Sequence, residues 1–504
     1  MAVNVPNTRH QEAPRLKSVL YLSGVCLTAS LGGLLFGFDT AVIAGTFEFV
    51  EEQFRLTKLQ VGWFSTSALL GCIVGSAVAG MLGDRVGRKP ILIISSSLLF
   101  ISAVLSAIGP TFQALIWAQV IGGVGVGIAS VLAPMYITEF APPLLRGRLV
   151  GAYQLSIVIG ILMAYSSNWS VLYVSENYPS ALVGNELLEW IVQAEPWRGM
   201  FAAELLPGGL FIFLLFLTPE SPRWLAQQSR DEEALRILTA VGGPQVAERE
   251  LAEIKASPAI EEGSIAELFG PGLRTALAVG VGLAFFGQLT GVNVVIYYGP
   301  AILQQAGFER IGAFQFQVGF GLINLIFTII AIGLIDRIGR RPLLLGGMTV
   351  VTLSLAATGA LFLWGTSPGL SGSEAGAAGA VLSPDVGRWV VGILGLYMAC
   401  IALSICAVIW VITSEIFPNR LRGRAVSIAT LTNWLANSAS TFLFPWYVQK
   451  YGMHTGFLTF AGICFIGTIF FWRYVPETKG KSLEEIERSW LAGTPATDSR
   501  SQKR

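Results

Sequence analysis

Twelve apolar segments, each close to the length needed to cross a lipid bilayer, constrain this chain more than any other feature. A spanning helix needs about 20 predominantly apolar residues. Because backbone groups in lipid have no water to pair with, such segments must be helical. The pattern predicts an all-α membrane protein in a lipid bilayer, with spans near 18–47, 62–83, 90–109, 112–138, 148–168, 199–217, 275–303, 313–335, 343–364, 388–414, 425–446 and 453–475.

The charged and metal-binding residues exclude several classes of protein. Apolar residues make up 53% of the chain, and 33 basic residues are balanced by 32 acidic ones, so we expect no nucleic-acid partner. All five cysteines lie inside apolar runs without the spacing of metal ligands, and the two histidines, His10 and His454, are peripheral. We therefore expect no disulfide, no metal, no cofactor and no enzymatic activity.

The short loops differ in charge between the two sides of the membrane. Basic residues concentrate in the loops 83–90, 144–148, 335–342 and 419–424, whereas the opposite loops carry Glu48, Glu51, Glu52, Glu176, Glu186, Glu189 and Glu195. Because Lys and Arg favour the cytoplasmic side, we expect a multi-pass protein of the cell membrane (plasma or inner) with both termini in the cytoplasm. Residues 1–17 are polar and precede an apolar run too long for a signal peptide, which predicts a tail rather than a leader.

Two motifs occur twice, in the same order. DRVGRKP from Asp84 returns as DRIGRRP from Asp336, and TEFAPPLLRGR from Thr138 returns as SEIFPNRLRGR from Ser414. Such a repeat predicts two similar halves related by an axis along the membrane normal. The predicted divisions are a tail (1–17), a first six-helix bundle (18–225), a cytoplasmic linker with amphipathic helices (226–274), a second six-helix bundle (275–475) and a cytoplasmic C-terminal helix and tail (476–504).

Six motifs occur together: GDRVGRKP, PESPRWL, QLTGVNVVIYYGP, DRIGRRP, SEIFPNRLRGR and VPETKG. In this combination and order the chain resembles the sugar porters of the major facilitator superfamily, over residues 18–488. The resemblance implies the major facilitator fold, with twelve transmembrane helices in two six-helix halves, and a monomer that gives alternating access to a monosaccharide site. It implies a hexose as substrate, first of all D-glucose, and next a pentose such as xylose.

Sugar recognition requires amide and hydroxyl groups beside an aromatic face. The seventh span carries Gln288, Asn293 and Tyr297, and Gly287 and Gly291 would let it bend so that both amides face one cavity. The alternative is that such side chains only hold two helices together. With the positions that the resemblance adds, the substrate-binding set is Phe36, Gln154, Gln288, Asn293, Tyr297, Asn324, Trp410 and Asn433, with Trp434 and Asn437 as weaker candidates.

One carboxylate lies in the middle of the first span, in LLFGFDTAVIAG. An Asp at the centre of a spanning helix costs about 2.5–3.5 kcal/mol on insertion scales, so Asp39 is a candidate functional residue. The resemblance implies that Asp39 accepts the proton in sugar:proton symport, with Glu204 of the sixth span as a modulator. The alternatives are a facilitative uniporter, an Asp39 that stays neutral and only braces its helix, and a sugar sensor that hardly transports.

Three positions depart from the family pattern. Proton-coupled relatives carry Arg where this chain has Gln119, which can hydrogen-bond to the Asp in either protonation state but cannot form an ion pair. Many relatives carry Gln at the position of Gly287, so one potential sugar contact is lost. Gly-Pro usually precedes Trp410, and Cys406 and Ala407 stand there instead, so we expect the tenth span to bend less or differently.

Charged residues at the cytoplasmic ends of the spans form the last predicted site. Glu139 and Arg146 lie beside the fourth and fifth spans, and Glu415 and Arg422 repeat this pair in the second half. In relatives, such groups form salt bridges between helices that keep the outward-facing state closed on the inside. The alternative is that each arginine only follows the positive-inside rule. The predicted gate comprises Arg88, Glu139, Arg146, Glu220, Arg340, Arg341, Glu415, Arg422 and Glu477.

Overall fold

The first half of the protein consists of long helices that run back and forth across the membrane. The computed structural model describes residues 16–142, 145–178, 184–256, 265–270, 273–365, 382–480 and 485. The helices of the first half are α1 (Leu16–Phe54), α2 (Lys58–Val86), α3 (Arg88–Ile108), α4 (Phe112–Phe140), α5 (Arg146–Asn177), α6 (Glu186–Leu188), α7 (Pro196–Ala202) and α8 (Leu205–Leu217). Ala203 and Glu204 separate α7 from α8, so the sixth span is a broken helix.

Short helices follow the first half. They are α9 (Pro222–Gln227), α10 (Asp231–Gly242) and α11 (Pro244–Ala256), with a 3₁₀ turn at Ile265–Phe269. Leu225 and Ala234 are buried in a small apolar cluster, and Trp224 Nε1 donates to the carbonyl of Asp84 at 2.9 Å. These helices are therefore attached to the end of α2. The helix predicted after Ser482 lies outside the described residues.

The second half has the same plan with two further interruptions. Its helices are α12 (Leu273–Gln288), α13 (Val292–Gln305), α14 (Arg310–Ile338), α15 (Arg340–Trp364), α16 (Pro384–Cys400), α17 (Cys406–Glu415), α18 (Asn419–Tyr451) and α19 (Met453–Tyr474). The seventh span is broken between α12 and α13. The tenth span contains a π-helical turn, Ile401–Ile405, between α16 and α17.

Eleven helical segments of the described part are long and apolar enough to span a membrane, and they coincide with eleven of the twelve predicted spans. The remaining predicted span, 425–446, lies within the 33 residues of α18. This helix carries polar side chains, and three of them, those of Asn433, Asn437 and Thr441, are buried inside the protein. The all-α major facilitator fold predicted from the sequence is therefore confirmed, and its most polar span is also one that carries predicted site residues.

The two ends of the membrane domain differ in charge. We call the end with Arg88 and Arg340 the basic end, and the end with Glu48 and Glu195 the acidic end. The two halves pack against each other toward the acidic end, where α2 contacts α18 and α5 contacts α14.

Two contacts illustrate this packing between the halves. Gly321 of α14 lies so near Tyr165 of α5 that a Cβ on Gly321 would be 3.0 Å from the ring. The Tyr298 hydroxyl of α13 donates to Ser65 Oγ of α2 at 2.7 Å. The structure is thus closed at the acidic end.

Candidate functional site

The break in the seventh span brings two predicted amides together. Gly291 adopts φ 80°, a left-handed conformation that glycine tolerates best, and it ends the turn between α12 and α13. Gln288 is the last residue of α12 and Asn293 is the second residue of α13. Asn293 Nδ2 donates to Gln288 Oε1 at 2.5 Å, so the bend turns both amides to one side.

A third amide reaches this pair from the eleventh span. Gln288 Nε2 donates to Asn433 Oδ1 of α18 at 2.8 Å. We call Gln288, Asn293 and Asn433 the amide cluster. The Gln288 and Asn293 side chains are half-buried. Because amides both donate and accept, the cluster can exchange its internal hydrogen bonds for bonds to a polyhydroxyl ligand.

One aromatic residue adjoins the amide cluster in the chain and packs against a second aromatic ring. Trp434 follows Asn433 on α18, and its ring centroid is 6.0 Å from that of Phe36 on α1. The Trp434 indole N–H is buried without a hydrogen-bond partner. Trp410 of α17 is 38% exposed. Phe36 and Trp434 come from opposite halves, so a ligand held here would touch both.

In the described part of the chain, the other predicted sugar contacts form no hydrogen bond with the amide cluster. Tyr297 is buried on α13, and Gln154 is half-buried on α5. Asn324 of α14 is buried and accepts from Thr328 Oγ1 at 3.5 Å. Asn437 accepts from Thr441 Oγ1 at 3.1 Å, one turn along α18. The structure therefore brings three of the predicted amides into one hydrogen-bonded cluster, and these other residues lie outside that cluster.

Asp39 is buried in the first half, with 6% of its surface exposed. A Cβ placed on Gly122 of α4 would lie 3.5 Å from Asp39 Oδ1, so the carboxyl group faces α4. Among the described residues none donates a hydrogen bond to it. A buried carboxylate without such donors is costly when charged.

Gln119 does not hydrogen-bond to Asp39, contrary to our expectation from the sequence. Its Nε2 donates to Ser106 Oγ of α3 at 3.2 Å, and its Oε1 is buried without a partner. Ser106 is fully buried. The amide therefore turns toward α3, because a buried hydroxyl there offers an acceptor.

Glu204 is a second buried carboxylate of the first half. It stands at the break between α7 and α8, is 3% exposed, and has an Oε1 atom without a hydrogen-bond partner. The first half of the membrane domain therefore holds two buried carboxyl groups, Asp39 and Glu204, and a buried carboxylate without hydrogen-bond donors is costly when charged.

A charged cluster occupies the basic end of the first half. Arg88 Nη2 lies 3.1 Å from Glu139 Oε1 and 3.0 Å from Asp84 Oδ1. Glu220 Oε1 accepts from the Arg88 backbone N–H at 3.1 Å and from that of Lys89 at 3.2 Å. Burial raises the pKa of the Glu220 carboxyl above its ordinary value, and these hydrogen bonds oppose that rise.

The second half repeats this cluster. Arg340 Nη2 lies 3.3 Å from Glu415 Oε1 and 3.1 Å from Asp336 Oδ1. Glu477 accepts from the backbone N–H groups of Arg340 at 3.1 Å and Arg341 at 3.0 Å. The internal repeat of the sequence therefore has a counterpart in the hydrogen bonds, and each cluster lies within its own half.

The two glutamates of the repeated motif pair with arginines that lie outside that motif. Glu139 and Glu415 pair with Arg88 and Arg340, whereas Arg422 donates to the carbonyl of Phe417 at 3.4 Å. The side chain of Arg146 lies outside the described residues. Residues spaced by seven lie on one helical face only within a continuous helix, and the chain turns at Pro418 before α18 begins.

Sequence reasoning missed an ion pair that joins the halves at the acidic end. Arg310 Nη2 of α14 lies 2.5 Å from Glu48 Oε1 of α1. Arg310 lies at the end that also carries Arg55 and Lys58, so its charge alone does not distinguish it, and no pattern in the sequence pairs it with Glu48. The sequence identifies Glu48 only as one of several acidic residues on this side of the membrane.

The tenth span contains a π-turn just before the position where the family pattern has Gly-Pro. The Cys406 backbone N–H donates to the carbonyl of Ile401, five residues earlier, which is the hydrogen bond of a π-turn. Such turns widen a helix locally and often occur at functional sites. The sequence carries no simple signal for this turn.

Comparisons with known proteins agree with this fold. The family of sugar (and other) transporters matches residues 25–490. The chain is 38% identical to an arabinose-proton symporter of Bacillus subtilis, over 97% of this chain and 98% of that protein. It is 35% identical to a glucose transport protein of Synechocystis sp., over 96% of this chain and 100% of that protein.

The fold is also similar to a solved transporter structure. The xylose transporter XylE from E. coli, in a partially occluded inward open conformation, superimposes with a TM-score of 0.75 and 34% identity, over 92% of this chain and 100% of that one. The chain therefore belongs to the sugar porters of the major facilitator superfamily, which are multi-pass membrane transporters and not enzymes.

Proposed function

We propose that this protein carries a monosaccharide across the cell membrane together with a proton, by alternating access. The amide cluster supports this most directly, because donors and acceptors from α12, α13 and α18 converge beside aromatic rings. Such a set can replace the water around a sugar. In this role the amides bind ring hydroxyls, and Trp410 or Trp434 covers a C–H face.

The proposed orientation puts the basic end and both termini in the cytoplasm, since positive charge favours that side. The halves meet at the acidic end, so this structure corresponds to a state open toward the cytoplasm. Its likeness to an inward open conformation of XylE supports the assignment. Opening to the outside then requires α2 to separate from α18 and α5 from α14.

The two charged clusters at the basic end are the proposed inner gate. In this structure Arg88 pairs with Glu139 and Arg340 with Glu415, each within one half. We infer that closure of the cytoplasmic side adds contacts between the clusters. The groups available for these contacts are Arg146, Glu220, Arg341, Arg422 and Glu477.

Asp39 is the proposed proton site. It is buried and receives no hydrogen bond from the described residues, so a bound proton removes a charge that the protein stabilises poorly. Glu204 is the proposed modulator, since it is a second buried carboxylate of the first half and its Oε1 has no hydrogen-bond partner.

A facilitative uniporter is the second candidate function. Gln119 favours the uniporter, because its side chain is neutral and donates to Ser106. A cation at this position would pair with Asp39, and the loss of that pair on protonation would link proton binding to helix movement. The two candidates differ in one observable, since only a symporter concentrates sugar when a proton gradient is imposed.

Transport by the purified protein in proteoliposomes tests the proposal. We expect exchange of labelled D-glucose, which we propose as the substrate, and we include D-xylose and L-arabinose because relatives are named for these sugars. An absence of exchange for every sugar would contradict transport and favour a sensor. Exchange without accumulation in a proton gradient would favour the uniporter.

A further inference from the structure

An apolar groove with a volume of about 410 Å³ lies between α14 and α16, on the surface of the second half. Its walls include Phe316, Gly319, Ile323, Gly392, Leu396 and Ala399. Phe316 and Leu396 are 37% and 52% exposed, and both lie in helices that are long and apolar enough to span a membrane. The groove therefore opens toward lipid.

Glycines on both helices make room for the groove. A Cβ placed on Gly319 of α14 or on Gly392 of α16 would meet no other atom within 4 Å. Deeper in the protein, a Cβ on the buried Gly395 would lie 3.4 Å from Cδ1 of Ile323 on α14. The two helices thus touch along the floor of the groove and stand apart at its surface.

The groove has the depth of one acyl chain in a single leaflet. On α16 it runs from Val391 to Ala399, about 12 Å along the helix axis, and half of the hydrocarbon core of a bilayer is about 15 Å thick. Trp389 precedes the groove and is 69% exposed, and tryptophan is enriched at the membrane–water interface. The groove therefore begins just below the interface and ends near the middle of the bilayer.

A cation stands at the outer end of the groove. Arg388 is one helical turn before Gly392, on the same face of α16, and its side chain is 75% exposed. Its Nη1 lies 3.0 Å from Asp385 Oδ1, in an exposed pair of a kind that contributes little to stability. The guanidinium has five N–H donors, so it can bind a phosphate and keep this contact.

The cation is needed for selectivity. An acyl chain that enters the groove leaves lipid tails that are as apolar as leucine, so burial in the groove does not by itself select one lipid. Charge complementarity at Arg388 does.

We propose that this groove binds one anionic phospholipid, with an acyl chain between α14 and α16 and the headgroup at Arg388. The site lies at the acidic end of the membrane domain and involves none of the predicted sugar contacts. Its inner end reaches Ala399, next to the π-helical turn Ile401–Ile405, so the bound chain braces the tenth span beside that turn.

Native mass spectrometry of the delipidated protein in detergent tests the proposal, with phosphatidylglycerol as the anionic probe and phosphatidylcholine as the zwitterionic one. We expect the first phosphatidylglycerol to bind about tenfold more tightly than phosphatidylcholine, as for one charge-assisted hydrogen bond. Gly392→Leu fills the open groove and should weaken phosphatidylglycerol binding about tenfold. Arg388→Gln should reduce it to the level of phosphatidylcholine.

Two variants outside the groove are the matched controls. Gly462→Leu fills open space on the lipid-facing side of α19, and Lys450→Gln removes another exposed cation, in the last turn of α18. Both should bind phosphatidylglycerol as the parent does.

Three results would overturn the proposal. One is equal binding of the two lipids by the parent. Another is unchanged phosphatidylglycerol binding in Gly392→Leu, or in Gly319→Leu, which fills the groove from α14, if Gly392→Leu does not fold. The third is a dimer that forms in the parent and is lost in either of these variants, because a second copy of the chain would then occupy the groove.

Discussion

Arg310 of α14 and Glu48 of α1 join the two halves of the protein at the acidic end, with 2.5 Å between Nη2 and Oε1. Gln304 Nε2 of α13 donates to the same carboxylate at 3.0 Å, and the Arg310 guanidinium lies 5.1 Å from the ring centroid of Phe49. The contact is therefore a small network. It must break whenever the protein opens on this side.

Removal of this ion pair should favour the outward-open state. Both side chains are about one third exposed, so we expect Glu48→Gln to cost the closed state about 1 kcal/mol or less, a shift of up to about fivefold in population. Spin labels at Leu59 of α2 and Leu443 of α18 should report longer distances. Asp385→Gln, which removes an exposed pair within α16, is the control and should change nothing. An unchanged distance distribution in Glu48→Gln would disprove the role of this pair.

The amide cluster should act as a unit in sugar binding. Asn433→Ala removes the acceptor of Gln288 Nε2, and we expect the KM for sugar to rise about tenfold because a ligand partner is lost and a half-buried donor is left unpaired. Gln288→Ala and Asn433→Ala should be less than additive in the double variant, since the residues touch. Asn177→Ala, at an exposed position of α5, should leave KM unchanged. Strict additivity would mean that the two amides act separately.

The bend at Gly291 should be needed for that cluster. Alanine at this φ of 80° costs about 1–2 kcal/mol, and its Cβ would lie 3.2 Å from the Phe460 ring. We expect Gly291→Ala to weaken sugar affinity at least tenfold, because Asn293 moves away from Gln288. Gly333→Ala, on α14 with open space around it, is the control and should transport normally. Normal affinity in Gly291→Ala would show that the break does not depend on glycine.

The charged cluster of the first half should contribute more to stability than its counterpart. Arg88 and Glu139 side chains are 5% and 6% exposed, whereas Arg340 and Glu415 are 15% and 25% exposed. Breaking a buried pair costs about 3–5 kcal/mol because one charge stays buried without its partner. Thermal unfolding in detergent should therefore show a larger drop in Tm for Glu139→Gln than for Glu415→Gln, with the exposed Glu233→Gln as control. Equal drops would contradict this.

Hydropathy made most of the fold predictable, because a segment in lipid has few structural options. It was least informative for α18, whose buried polar side chains lower the hydropathy of the span. That Gln288 and Asn293 face the same side was predictable from the sequence, since Gly291 between them allows a sharp turn.

Contacts between distant segments were not predictable from the sequence. Gln119 has two possible directions, and the buried hydroxyl of Ser106 decides between them. The partner of Glu48 lies 262 positions away, and no local pattern specifies such a separation. The π-turn before Cys406 depends on how α16 and α17 pack, which helical periodicity does not reveal.

Sugar accumulation driven by an imposed proton gradient tests the central claim most directly, in proteoliposomes that contain either the parent protein or Asp39→Asn. We expect the parent to concentrate sugar and to take up protons with it. The variant should exchange sugar without concentrating it, because an amide in place of the carboxyl group binds no proton. Accumulation by Asp39→Asn equal to that of the parent would contradict the assignment of Asp39 as the proton site.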